Sequence, residues 1–242
     1  SCSLSTNLCF DILMAVKLYG APFSVNTARV LACLNEKAIE FDFVDAQIFS
    51  GGHKTPDFMA KNPFGKIPVI EDGELTLFES RAITAYICAK FKGSGSDLLR
   101  DGDLKEAALV KLWVEVEAQE YDVAVAPIMY ELMVNPIRGL PVDQGIVEKN
   151  LEKLKLVLDI YEGRLSSTKY LAGDFFSLAD LHHFPYTHYL MKTPYASVIN
   201  DRAHVKAWWE DMSSRPAIAK VAEGMNLEKK GEDEQLACNK EI

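Results

Sequence analysis

The segment Gly93-Ser94-Gly95-Ser96 divides the chain into two stretches with different hydrophobic periods, and this change of period limits the fold more than any other feature. Before it, short strand-like runs alternate with helical patterns. Val16 to Tyr19 reads as a strand, Gly20-Ala21-Pro22 as a turn, and Val25 to Glu36 as a helix in which Ala28, Leu31 and Ala32 recur at helical spacing. Phe41 to Asp45 is a second strand, so these elements form a βαβ unit whose right-handed connection makes the two strands parallel neighbours. A polar loop around Gly51, Gly52, His53 and Lys54 follows, then a short helical segment from Pro56 to Lys61. Ile67 to Phe78 reads as a hairpin with Asp72-Gly73 as its turn residues. Ser80 offers an N-cap to a helix that carries Ile83, Ile87 and Phe91 on one face.

Beyond the linker the period is helical almost throughout. Leu109, Leu112, Trp113 and Val116 form one apolar stripe, and Val147, Leu151, Leu154, Leu158 and Tyr161 form another. Ser177-Leu178-Ala179-Asp180 has the form of a capping box, flanked by Phe176 and Leu181 at the staple positions. Ala203 to Ser213 gives another helix, and Pro216 opens the next. The expected divisions are an extension (1–13), an α/β domain (14–93), a linker (94–102), an all-helical domain (103–225) and a charged tail expected to be disordered (226–242).

Composition excludes several classes of function. No apolar run approaches the roughly 20 residues that span a bilayer. The formal charge of −9 has the wrong sign for tracking nucleic-acid phosphates. The five cysteines lack a C-x-x-C pair and any metal-ligand spacing, and Cys33 and Cys88, set in predicted helices, read as buried thiols of a reducing compartment, the cytosol. The extension carries no Lys or Arg, which secretory and mitochondrial signals normally have, so Met14 is expected to be the natural start.

Three segments carry chemistry. Gly20-Ala21-Pro22-Phe23-Ser24 joins a strand to a helix where N–H groups and the helix dipole favour an anion such as a thiolate. Ser24 is there either for that anion or as an ordinary cap. Asn62-Pro63-Phe64-Gly65-Lys66-Ile67-Pro68 fixes the backbone before a strand, which suits either a peptide-like ligand or a rigid turn. Glu79-Ser80 can hold an α-amino-carboxylate, the ammonium on Glu79 and the carboxylate on Ser80, or can serve as capping residues. His182 and His183 are adjacent, point about 100° apart on a helix, and are read as structural rather than as metal ligands.

Taken in order, G-A-P-x-S, H-K, N-P-F-G-x-I-P, E-D-G and F-E-S-R-A-I resemble plant glutathione transferases of the phi class. The resemblance continues through Tyr170 to Phe175, Leu178 to Leu181 and Ser214-Arg215-Pro216, covering about Met14 to Met225. It implies a thioredoxin-like α/β N-terminal domain followed by an all-α helical bundle, with glutathione as co-substrate and no metal.

By position, the resemblance implies that Ser24 donates to the glutathione sulfur and favours its thiolate, with Phe23 beside it. His53 and Lys54 would hold the glycine carboxylate, Lys66 and Ile67 the cysteinyl and glycyl parts, and Glu79 and Ser80 the γ-glutamyl end. Ile67-Pro68 is expected to be cis, and Lys66 departs from the Gln usual in the class. Phe23, Tyr121, Val125 and Met129 are the candidates for the electrophile site.

The implied activity is conjugation of glutathione to hydrophobic electrophiles in detoxification, with reduction of organic hydroperoxides beside it, in a cytosolic homodimer. The alternative is a carrier of flavonoids or other apolar molecules. Serine rather than cysteine at position 24 argues against thiol exchange.

Overall fold

The computed structural model describes residues 15–226; the expected extension and the tail past residue 226 lie outside the described residues. The first part runs β1 (Val16–Gly20), α1 (Val25–Glu36), β2 (Phe41–Asp45), α2 (Pro56–Lys61), β3 (Val69–Asp72), β4 (Leu75–Phe78) and α3 (Ser80–Lys90). The strands lie in the order β2-β1-β3-β4, with β1 parallel to β2 and antiparallel to β3. The βαβ unit and the hairpin follow from the sequence as read, but the turn sits one residue later. Asp72 pairs with Leu75, leaving Gly73-Glu74 as the loop, and Gly73 takes φ 61°. Glycine at the first loop position is the signature of a type II′ turn, which suits the right-handed twist of paired strands.

The helical part comprises α4 (Leu104–Val116), α5 (Asp122–Met129), α6 (Asn135–Ile137), α7 (Gln144–Leu165), α8 (Leu178–Leu181), α9 (Phe184–Leu190), α10 (Ser197–Asn200), α11 (Ala203–Ser213) and α12 (Pro216–Gly224). The first three run on through π turns at Glu117–Tyr121 and Tyr130–Val134. The predicted α7 stripe is buried throughout, and the capping box of Ser177 and Asp180 is complete. The α4 stripe behaves otherwise: Leu109 and Leu112 are 37% and 53% exposed, and the buried residue of that helix is Val110.

Several bonds join the two parts. Arg215 makes a two-pronged bond to Glu36 at the end of α1, at 2.7 Å and 2.7 Å, and lies over the Phe176 ring. Ser96 donates to the Glu36 carboxylate (2.6 Å) and Lys37 to the Ser96 carbonyl (2.9 Å). A Cβ on Gly95, which has φ 55°, would stand 2.2 Å from the Glu36 carbonyl oxygen, so this glycine is required by close packing. The Gly-Ser segment is a fitted joint rather than a loose tether. Thr84 of α3 meets His182 at 2.9 Å across the same interface. Replacing Arg215 with alanine strips the buried Glu36 carboxylate of its guanidinium and is expected to lower stability by about 2 kcal/mol, read from urea unfolding.

Inside the first part, Cys33 and Cys88 are buried as expected and face each other from α1 and α3 with 3.5 Å between sulfurs. Burial pushes the Cys33 thiol well above its ordinary value, which keeps it protonated.

Candidate active site

Ser24 is the N-cap of α1, in extended backbone (φ −72°, ψ 126°), and its Oγ accepts from the Thr27 N–H at 3.4 Å. That bond uses a lone pair and leaves the hydroxyl proton free to donate. The group is half-buried at the positive end of a helix of 12 residues. The preceding peptide is held on both edges: the Ser24 N–H donates to the Ala21 carbonyl (3.0 Å), and the Phe23 carbonyl accepts from the Tyr189 hydroxyl of α9 (2.6 Å). The Phe23 ring stacks on Phe49, with centroids 5.2 Å apart, which draws the turn at Ile48–Ser50 against this loop.

Strand register brings in the other segments. Tyr19 lies opposite Val69 and Val69 opposite Phe78, so Ile67-Pro68 enters between the end of β1 and Glu79. The Ile67-Pro68 bond is cis, as expected. Lys66 is exposed, and its carbonyl is fixed by the Asn62 side-chain amide at 2.6 Å. Lys54 reaches the Phe64 carbonyl at 3.4 Å and packs against Gly65, which sets the His53-Lys54 turn beside this loop. His53 is half-buried with its Nδ1 turned inward; burial, and then the Lys54 charge, lower its pKa and favour the neutral ring.

Glu79 and Ser80 exchange their expected local roles. Glu79, not Ser80, is the N-cap of α3, and it holds φ 72°, ψ 106°, a region that costs a residue with a Cβ about 1–3 kcal/mol. Ser80 is the first helical residue and is buried: its Oγ accepts from Arg29 at 2.7 Å and donates to Asn26 at 3.4 Å. Behind it stands a network that residue-by-residue reading missed. Arg29 and Arg81 converge on Glu117 at 3.3 Å and 2.7 Å and on Asp122 at 3.8 Å and 3.1 Å. The available signal was an acid, Glu117, set directly after the apolar stripe ending at Val116.

Phe23, Ser24, His53, Lys54, Lys66, Ile67, Glu79 and Ser80 thus gather at one end of the sheet. Tyr121, Val125 and Met129 do not join them. They are 0%, 0% and 3% exposed in the core of the helical part, where Tyr121 stacks on Tyr161 and shares a bond with Thr187. A fully buried stripe facing α7 cannot wall an open groove, so their expected part in the electrophile site is corrected to core packing. His182 and His183 are buried and bonded to Thr84 and Tyr161. Among the described residues no group of three or more His, Cys, Asp or Glu is arranged to hold a metal ion.

A sheet of this order with a serine-capped helix, a cis-proline loop and a helical partner defines a glutathione-transferase architecture, and comparison with known proteins agrees. The family described as "Glutathione S-transferase, N-terminal domain" matches residues 14–89, and "Glutathione S-transferase, C-terminal domain" matches residues 122–216. The chain belongs to the glutathione S-transferase family.

Within the family it falls in the phi class. It is 55% identical to glutathione S-transferase F13 of Arabidopsis thaliana over 88% of this chain and 98% of the relative. The glutathione transferase F7 structure from Populus trichocarpa is 65% identical, with TM-score 0.86 over 88% of this chain and 100% of that one. Glutathione S-transferase I from maize, solved with an atrazine glutathione conjugate, is 47% identical, with TM-score 0.83 over 88% and 98%.

Proposed function

We propose that this protein conjugates glutathione to hydrophobic electrophiles. One observation carries the reading: a half-buried serine hydroxyl with a free proton stands at the N-terminus of α1, where a thiolate gains both a hydrogen bond and the helix dipole. The maize relative's conjugate supports the same chemistry. Ser24 stabilises the sulfur anion, and His53, Lys54, Lys66, Ile67, Glu79 and Ser80 hold the peptide around it. The stack of half-buried Phe23 on exposed Phe49 replaces the buried Tyr121, Val125 and Met129 as the proposed electrophile contact. Organic hydroperoxides are proposed as a second class of acceptor. The apolar Leu109 and Leu112, one turn apart on α4, support a homodimer in which a second copy covers them, and the buried thiols support a cytosolic setting.

Ser24→Ala is expected to lower turnover of a chlorodinitroarene and of benzyl isothiocyanate by about 10- to 100-fold near neutral pH, the value of a hydrogen bond to a charged group. Glutathione affinity should change little. Loss of the cap lowers stability by about 1 kcal/mol, so folding is checked by circular dichroism. If the alanine variant keeps full turnover, the Ser24 role is wrong. If the unaltered protein binds glutathione and apolar dyes but turns over neither these electrophiles nor a hydroperoxide, it is a carrier.

A further inference from the structure

The Phe23–Ser24 peptide is a rigid plane whose two polar atoms have two different keepers. Its N–H is held by Ala21 inside the same loop, whereas its carbonyl is held by Tyr189, 166 residues away in the helical part. The Tyr189 ring is buried, in edge contact with His188 (5.7 Å between centroids) and with Lys192 over its face (Nζ 5.9 Å from the ring centre). Packing alone would be served by phenylalanine. A buried hydroxyl left without a partner is unfavourable by about 1–3 kcal/mol, and here it is aimed at a single backbone oxygen.

We propose that Tyr189 is a positioning residue for Ser24: its hydroxyl fixes the peptide plane before Ser24 and so aims Oγ at the glutathione sulfur. This rests on the glutathione reading of the site. The helical part thereby acts on the thiolate through the backbone of the other part. Burial raises the Tyr189 pKa, so the hydroxyl stays a donor across the working range. Without that bond the plane rocks about its remaining anchor, and a displacement of roughly 1 Å at a catalytic group is worth up to about 100-fold in rate.

The test compares the full-length protein with Tyr189→Phe, which keeps the ring, and with Thr84→Val, which breaks the Thr84–His182 bond between the same two parts away from the Ser24 loop. Bound thiolate is followed by its ultraviolet absorbance against pH, together with kcat and KM for the chlorodinitroarene. Tyr189→Phe should raise the pKa of bound glutathione by about one unit and lower kcat about tenfold near pH 6.5, with KM for glutathione changed less than about twofold. Thr84→Val should lower Tm and leave that pKa in place. In a Ser24→Ala background, Tyr189→Phe should produce no further shift.

If the unaltered protein ionises glutathione and Tyr189→Phe does so with the same pKa and kcat, the positioning role fails while the glutathione reading stands. A shift that persists in the Ser24→Ala background also overturns it, because the effect would not pass through Ser24. If the unaltered protein shows no thiolate with glutathione, both readings fall together.

Discussion

Glu117→Ala is expected to destabilise the protein by about 3–5 kcal/mol, the range for removing one partner of a buried ion pair. The Glu117 and Arg29 side chains are both fully buried, and Glu117 bonds Arg81 through both carboxylate oxygens, at 2.7 Å and 2.9 Å. With two guanidinium groups and two carboxylates, the network is close to neutral. Removing Glu117 leaves two cations facing Asp122 alone, and Arg29 has no route to water. Burial already lowers the Arg29 pKa despite its partners, which shows how poorly solvated that cation is.

The double variant Arg29→Met with Glu117→Leu removes charge in pairs and should be far milder, since matched apolar replacement of a buried pair is often nearly neutral. Chemical denaturation of both variants decides the matter. A loss below about 1 kcal/mol in Glu117→Ala would mean that Arg29 is not held by this acid. Because Arg29 also donates to the Ser80 hydroxyl, Glu117→Ala should weaken glutathione binding as well.

Acidification should unfold the protein at a milder pH than its carboxylates require. Burial is the leading cause that holds three histidines neutral: His182 well below its ordinary value, His183 at about 3 and His188 at about 4. Their folded pKa values lie below the unfolded value of about 6.5, so the unfolded chain binds protons that the fold refuses. Their contribution is complete above about pH 6.5 and declines as pH falls toward the folded values, by up to about 1.4 kcal/mol per unit for a fully buried ring and by less for half-buried His188.

Asp180 acts in the opposite sense. Burial pushes it up to about 6 against four donated bonds, so between about 6 and 3.8 the fold takes a proton that the unfolded chain does not. One ring of the three is offset. The remaining two, of which half-buried His188 is partly screened by solvent, still leave a net loss of stability as pH falls from about 6 toward 4. Urea midpoints at pH 7, 6, 5 and 4 should fall steeply below 6.5, and a flat profile down to 4.5 would show that these rings protonate within the fold.

The sequence was most legible where a local pattern decides the structure. The βαβ unit, the α1 start at Ser24, the capping box at Ser177 and the α7 stripe all depend on residues within a few positions of each other. It was least legible where two surfaces compete for one stripe. Tyr121, Val125 and Met129 recur every four residues as a buried helix face should, but periodicity does not say whether that face meets α7 or a groove. Two π turns near α5 further shift the phase of the helix run. Ser80 has the composition of a cap, yet Arg29 and Asn26 from α1 draw its hydroxyl inward, and only the packed fold supplies them. Tyr189 gave no local signal, because its partner is a carbonyl 166 residues away.

The bond between Glu36 and Arg215 spans 179 positions, which bears on how the molecule is made. The ribosome delivers the sheet and α1 first, with Glu36 and Lys37 facing a place that Ser96 fills early and Arg215 fills only after most of the helical part has been made. Until then the Glu36 carboxylate lacks its guanidinium, although the entropy of closing so long a loop grows only slowly with its length. A protease nick in the Gly-Ser joint of the finished protein should leave both fragments together, held by Arg215 on Glu36 and by the Thr84, Tyr189 and Glu117 bonds between the two parts.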